Sequence, residues 1–301
     1  MAIIFNESDN TFTLHTKNTT YQMKIDRYGV LLHLYYGSRT EGNMEYLLTY
    51  TDRGFSGNLH DAGNDRTYSL DVLPQEYPAF GTGDYRSPAL IVKNHDGSFA
   101  CDLRYYGHQI TQGKYPLQGL PAVYAEREEA ETLAIFLRDR VSGVQVRLMY
   151  GVLPEHDIIT RTAIIKNKGS HPVLLEKVLS ASIDIVSGDF DLITFGGRYA
   201  MERIFNRDRM EQGSIVIGSR RGYSSHQFNP MMILAEHRTT ENYGKCYAMS
   251  FVYSGAWKGK AERDHVELTR LQMGLHDENF SYPLEPEESF VAPEVVMSCS
   301  T

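Results

Sequence analysis

Cysteine is scarce in this sequence. Cys101, Cys246 and Cys299 stand far apart, are odd in number and form no CxxC or CxxxH spacing. That speaks against a disulfide framework and against a zinc site, and favours a reducing compartment. Long apolar runs are missing too, and without some 18 consecutive apolar residues no transmembrane helix is expected. The first ten residues, MAIIFNESDN, lack a positively charged n-region, so no signal peptide is expected and the cytoplasm is the default compartment. Basic clusters are absent along a chain of net charge −8, which argues against a nucleic-acid surface. There is no GxSxG, HExxH, P-loop or helix-opening GxGxxG, and the eleven histidines are scattered. No cofactor, metal or membrane partner is therefore expected. No repeat of fixed period and no Pro-, Gly- or Ser-rich linker divides residues 1–301, so a single domain is expected.

What is present reads as strand. Residues 2–5, 11–16, 20–25 and 29–36 alternate or run apolar over strand length between polar turns. Residues 46–50 and 89–93 flank a long irregular stretch, and Asp96-Gly97 marks a hairpin turn after the second. Residues 131–141 and 143–152 form the clearest hairpin. Val144, Val146, Leu148 and Tyr150 share one face there, opposite Gln145, Arg147 and Met149. Segments 99–110, 157–166, 173–185, 192–205, 214–218, 231–236, 245–254, 265–275 and 289–298 continue the series. Ile159, Arg161, Ala163 and Ile165 fall on one face of their strand. No segment carries a sustained stripe at helical spacing. Roughly fifteen strands with polar turns predict an all-β fold of large stacked antiparallel sheets.

Residues 52–88 break the pattern, carrying five Asp and three Arg beside Phe55, Tyr68, Leu70, Leu73, Tyr77, Phe80 and Tyr85. A stretch this long without periodicity is either functional or disordered. Its apolar content opposes disorder, which predicts an ordered loop that carries recognition. Asp52, Arg53, Asp61, Asp65, Arg66, Asp71, Asp84 and Arg86 beside aromatic rings suit a sugar, whose hydroxyls meet the ions while its C–H face meets a ring. The competing reading is that these charges pair with one another to hold the loop's shape, and it weighs least on Asp52 and Arg66. Elsewhere the plainer reading is favoured. Glu128, Glu129 and Glu131 read as a solvated turn, and Asp184, Asp189 and Asp191 as turn chemistry. The run at 220–230, RRGYSSHQFNP, reads as a turn network, and His33 and His237 as surface or rim residues. Trp257, the only tryptophan, suits either a stacking platform or an interface anchor.

At these motifs the chain resembles a known family. DRGFSGNLHDAGNDRTYSLDVLPQEYPAFGTGDYRSPA, LQGLPAVY, ITRTAIIKNKG, RRGYSSHQFNP, SFVYSGAW and PEVVMS occur in the same order as in the N-terminal part of glycoside hydrolase family 36 α-galactosidases. The resemblance implies a β-supersandwich of the galactose-mutarotase-like kind. In the family this part packs on a catalytic (β/α)8 barrel that a small C-terminal β domain follows. The family's Lys-Trp-Asp-Met-Asn-type nucleophile motif does not occur, so this stretch alone is expected to be an inactive N-terminal portion holding no catalytic residue. The whole enzyme would hydrolyse terminal α-galactosides such as melibiose and raffinose with retention. In family tetramers the long loop reaches a neighbouring subunit's active site, and the motifs carry the two sugar-binding positions onto Asp52 and Arg66. Tyr199, in GRYAMER, stands where relatives carry Trp, and is a third candidate for substrate contact. Two other functions stay open: a free-standing galactoside-binding module, and an aldose epimerase, which would need His33, His108 or His237 to meet a carboxylate.

Overall fold

A computed structural model describes residues 2–54 and 57–300. In chain order the strands are β1 (Ile3–Asn6), β2 (Thr11–His15), β3 (Thr19–Ile25), β4 (Leu31–Ser38), β5 (Leu90–Lys93), β6 (Arg104–Gln112) and β7 (Glu131–Arg138). Next come β8 (Val144–Leu153), β9 (Ile158–Asn167), β10 (Val173–Ile185), β11 (Phe190–Arg198), β12 (Met201–Arg209), β13 (Gly213–Ser219) and β14 (Phe228–Glu236). The series closes with β15 (Cys246–Val252), β16 (Trp257–Arg263), β17 (Thr269–Leu275), β18 (Tyr282–Leu284), β19 (Ser289–Val291) and β20 (Glu294–Ser300).

These strands build three antiparallel sheets. Strands β1 to β4 form a four-stranded meander, and a six-stranded sheet runs β13-β16-β17-β10-β18 with β5 also on β10. A ten-stranded sheet runs β12-β11-β14-β15-β20-β9-β8-β7-β6, with β19 beside β9. The chain is thus a β-supersandwich, as its alternating patterns predict. Along β8 the faces separate as expected, because Val144, Val146, Leu148 and Tyr150 are buried while Arg147 is exposed. Their burial joins the inward faces of all three sheets into one hydrophobic core.

Several expectations need correction. Residues 192–205 are not one strand: the chain reverses at Tyr199 and Ala200, and β11 and β12 pair as a hairpin. Ala200 and Arg203 both take a left-handed φ of 58°, which side-chain alternation does not reveal. Residues 45–47 form a single 3-10 turn rather than the end of a strand. Segment 257–263, which the alternating patterns leave out of the strand series, is the full strand β16.

The long loop is ordered by its own small core. Leu59, Ala62, Tyr68, Leu70 and Leu73 pack with Val30, Leu32 and Leu34 of β4 and its approach. Phe55 lies outside the described residues.

Candidate functional site

The loop's stem carries a buried carboxylate. Glu76, fully enclosed, accepts from Tyr21 Oη at 2.6 Å and from Tyr150 Oη at 2.8 Å, and His33 Nδ1 lies 2.8 Å from its Oε1. Arg161 Nη2 stands 3.2 Å from Oε2 and also donates to the Glu76 backbone oxygen at 3.1 Å. Burial alone would push this carboxyl up. Arg161, with hydrogen bonds from His33 and Tyr21, outweighs burial and holds it below the usual carboxylate range. A stem so tied cannot swing. His33 is therefore no rim residue, and its pairing with Glu76 is no epimerase centre, since the two side chains are 2% and 0% exposed.

A second buried network fixes the loop's far end. Arg86 Nε donates to Asp84 at 2.9 Å, and its Nη2 donates to the backbone oxygens of Leu70 and Leu73 at 2.8 Å each. Arg270 of β17 grips Asp184 through two 2.7 Å bonds and reaches Asp84 at 2.7 Å. Burial raises the Asp184 carboxyl, but Arg270 and Arg86 outweigh it and hold the group below its usual range. Asp84 and Arg86 are thus structural, and the shape-holding reading is right for them; Asp184 is no turn residue but a fully buried member of β10 paired to Arg270. Asp71 is drawn inward as well, accepting from the Tyr85 amide at 3.0 Å.

The tip behaves differently. Arg66 Nη2 stands 3.1 Å from Asp52 Oδ1, and both side chains are 59% exposed. The Arg53 amide donates to the Arg66 carbonyl at 3.2 Å and the Gly54 amide to Asp52 Oδ1 at 2.8 Å, which closes the turn beneath the pair. Asp52 Oδ2 and the Nε and Nη1 groups of Arg66 have no partner among the described residues. An exposed pair of this kind adds little stability. What it offers is an acceptor and a forked donor side by side, facing solvent. Beside it a cleft of about 510 Å³ is lined by Lys24, Asp26, Arg27, Tyr50, Asp65 and Thr67, among others. Arg27 binds Asp65 there at 2.6 Å.

The third candidate stands apart from this pair. Tyr199 is 86% exposed at the tip of the β11–β12 hairpin and makes no hydrogen bond to Asp52 or Arg66 among the described residues. Trp257 is neither platform nor anchor, being fully buried in the core with its indole N–H unpartnered. The 220–230 run is a turn network as expected. Ser219 Oγ donates to the Tyr223 carbonyl at 2.6 Å, and Ser225 Oγ accepts from the Gln227 amide at 3.3 Å. His237 sits between Asp189 and Asp191, 2.7 and 2.6 Å from its two ring nitrogens. Hydrogen bonds to the carboxylates of Asp189 and Asp191 hold its imidazole above the ordinary pKa. Sequence reading missed the Glu76 hub, although one signal was available: Arg161 lies on an otherwise apolar strand face and so demanded a buried partner.

The comparisons with known proteins agree with this architecture. The Glycosyl hydrolase family 36 N-terminal domain matches residues 29–285. The bifunctional alpha-galactosidase/sucrose kinase AgaSK of Mediterraneibacter gnavus is 55% identical over 300 residues, covering 100% of this chain and 32% of that protein. Alpha-galactosidase Mel36A of Lactobacillus acidophilus is 41% identical over 297 residues, covering 98% of this chain and 40% of its own length. The solved galactosidase domain of AgaSK superposes with a TM-score of 0.98 at 55% identity, over 99% of this chain and 42% of that one. Alpha-galactosidase AgaA from Geobacillus stearothermophilus, solved in complex with raffinose, gives a TM-score of 0.94 at 41% identity, over 96% of this chain and 40% of that one. The chain spans about a third to two-fifths of the length of these relatives. Three antiparallel sheets, an ordered loop with a solvent-facing ion pair and a match over most of the length lead to one assignment: the chain belongs to the glycosyl hydrolase family 36 N-terminal domain family.

Proposed function

We propose that this chain is the non-catalytic N-terminal domain of a retaining α-galactosidase, acting on terminal α-galactosides of the melibiose and raffinose type. Its loop tip completes the sugar site of a neighbouring subunit in a tetramer, while the reacting Asp pair belongs to the barrel. The observation that carries this reading is the Asp52–Arg66 pair, held on a rigid stem yet 59% exposed on both side chains. Asp52 Oδ2 would accept from one sugar hydroxyl while the Arg66 fork donates to its neighbour, a bracket for vicinal hydroxyls. The names of the relatives support the substrate class. Three unpaired cysteines fit a cytoplasmic setting.

The decisive experiment uses the complete enzyme. Asp52→Ala is expected to raise KM for melibiose about tenfold or more, the loss of a charged hydrogen bond of roughly 1.5–3 kcal/mol, while the tetramer survives. An unchanged KM would remove Asp52 from the site. A second reading, galactoside binding by this domain alone, draws on the cleft beside the loop and its Tyr50 ring. Calorimetry with melibiose on the isolated chain separates the two. Saturable binding that Asp52→Ala abolishes favours the second, and no heat favours the first.

A further inference from the structure

Away from the loop, three turns meet at one end of the sandwich. Residues 94–98 follow β5, residues 139–143 join β7 to β8, and residues 167–171 join β9 to β10. Between them lies a cleft of about 260 Å³ whose walls include His95, Arg138, Arg140, Lys168 and His171, with Asp96 the one carboxylate among its lining residues. Three permanent cations and two imidazoles against one carboxylate is an unusual balance in a chain of net charge −8.

The cations are also poorly neutralised. Arg138 and Arg140 are both exposed and have no carboxylate or hydrogen-bond partner among the described residues. Lys168 alone is paired, to Glu287 at 2.6 Å. Asp96 is turned toward its own backbone, accepting from the Ser98 amide at 2.9 Å. Nearby Asp139 does the same, accepting from the Val141 amide at 3.0 Å and Ser142 Oγ at 2.7 Å. The imidazoles of His95 and His171 stack at 4.1 Å with 21° between their planes, which sets two turns edge to edge.

The floor is rigid. The Lys168 amide donates to the Gly143 carbonyl at 3.1 Å. A Cβ placed on Gly143 would stand 2.6 Å from the Gly169 nitrogen, so the two turns touch through bare backbone. Gly143 also takes a φ of +78°, which an L side chain rarely adopts. The turns that carry the cations are thus fixed against one another before any ligand arrives.

We propose that this cleft binds a small phosphate monoester. Guanidinium groups at positions 138 and 140, two apart at a strand end, present forked donors suited to a tetrahedral oxyanion. A volume below the roughly 300 Å³ at which drug-sized pockets begin admits a phosphate with a small attached group and little more.

The test titrates the full chain with inorganic phosphate, with glucose 6-phosphate and with glucose, read by calorimetry at constant ionic strength. Saturable one-to-one binding of the phosphate compounds and none of glucose is expected, weakened about tenfold or more in Arg140→Gln and in Arg138→Gln. Tighter binding of the sugar phosphate identifies an organic ester, and equal binding identifies the free ion. Arg220→Gln, on the same acidic chain but outside the cleft, should bind as wild type. A linear response, equal displacement by chloride at the same ionic strength, or an equal loss in Arg220→Gln would overturn the site. Unaltered melting of the exposed-arginine variants guards the comparison.

Discussion

Glu76 shows how much a single side chain is asked to hold. Both of its oxygens are occupied by groups from β3, β4, β8 and β9, so removing the charge strands Arg161 in the core. Breaking a buried pair by deleting one partner typically costs about 3–5 kcal/mol, since the survivor stays desolvated. Glu76→Ala should therefore lower the urea midpoint sharply, or prevent folding, whereas Asp52→Ala should alter stability by less than about 0.5 kcal/mol. Equal midpoints for Glu76→Ala and wild type would dismiss the hub. The contrast separates two acidic residues of one loop that composition cannot tell apart. Their difference is burial, and burial is decided by strands up to 85 positions away, such as the one carrying Arg161.

Among the elements, β16 depends on what its inward positions admit. Trp257, Gly259 and Ala261 point into the core, and a Cβ at Gly259 would stand 2.7 Å from Met232 Sδ of β14. The small residues let the sheets approach while Trp257 fills the space at the strand's start. Trp257→Ala is expected to destabilise by about 3–5 kcal/mol through the cavity it leaves. Trp257→Phe should cost appreciably less, because the indole N–H has no acceptor to lose. Chemical denaturation of both variants checks this, and similar losses in the two would deny the account. Sequence alone gives this strand little signal: WKGKAER has no apolar run, and its buried face is mostly small. By contrast β8 and β10 were legible, because large β-branched and aliphatic residues recur at period two or run continuously. The β11–β12 reversal was illegible for another reason. It rests on left-handed backbone at Ala200 and Arg203, residue types that carry no turn signal. At the candidate site, the ordered loop could be read in advance. Which of the loop's charges go inward could not, because their partners come from β17 and β9.

At the scale of the whole molecule, buried carboxylates set the acid limit. Glu76 and Asp184 are held below their ordinary pKa values of 4.5 and 3.8, against burial, by Arg161 and by Arg270 with Arg86. A depressed carboxyl contributes stability that is full above its unfolded pKa and is lost as pH falls through the folded one. Melting temperature should therefore hold down to about pH 4.5 and drop steeply below about pH 4. His237 has the opposite sign: its raised pKa adds stability below about pH 6.5 that fades as pH rises through the folded value, weakly because the group is near the surface. A melting series from pH 3 to 9 tests both limbs, and a profile flat below pH 4 would contradict the first.

One feature of the ten-stranded sheet bears on how the polypeptide is made. Strand β20 lies between β15 and β9, so until it arrives the sheet is two separate pieces. During synthesis β9 leaves the ribosome more than a hundred residues ahead of β20. At ordinary elongation rates its inner edge stays bare for on the order of ten seconds. For that interval the nascent chain offers an open row of amides and carbonyls to any passing strand. The most exposed moment in this protein's life comes before release, and a chaperone that shields β9 would guard it.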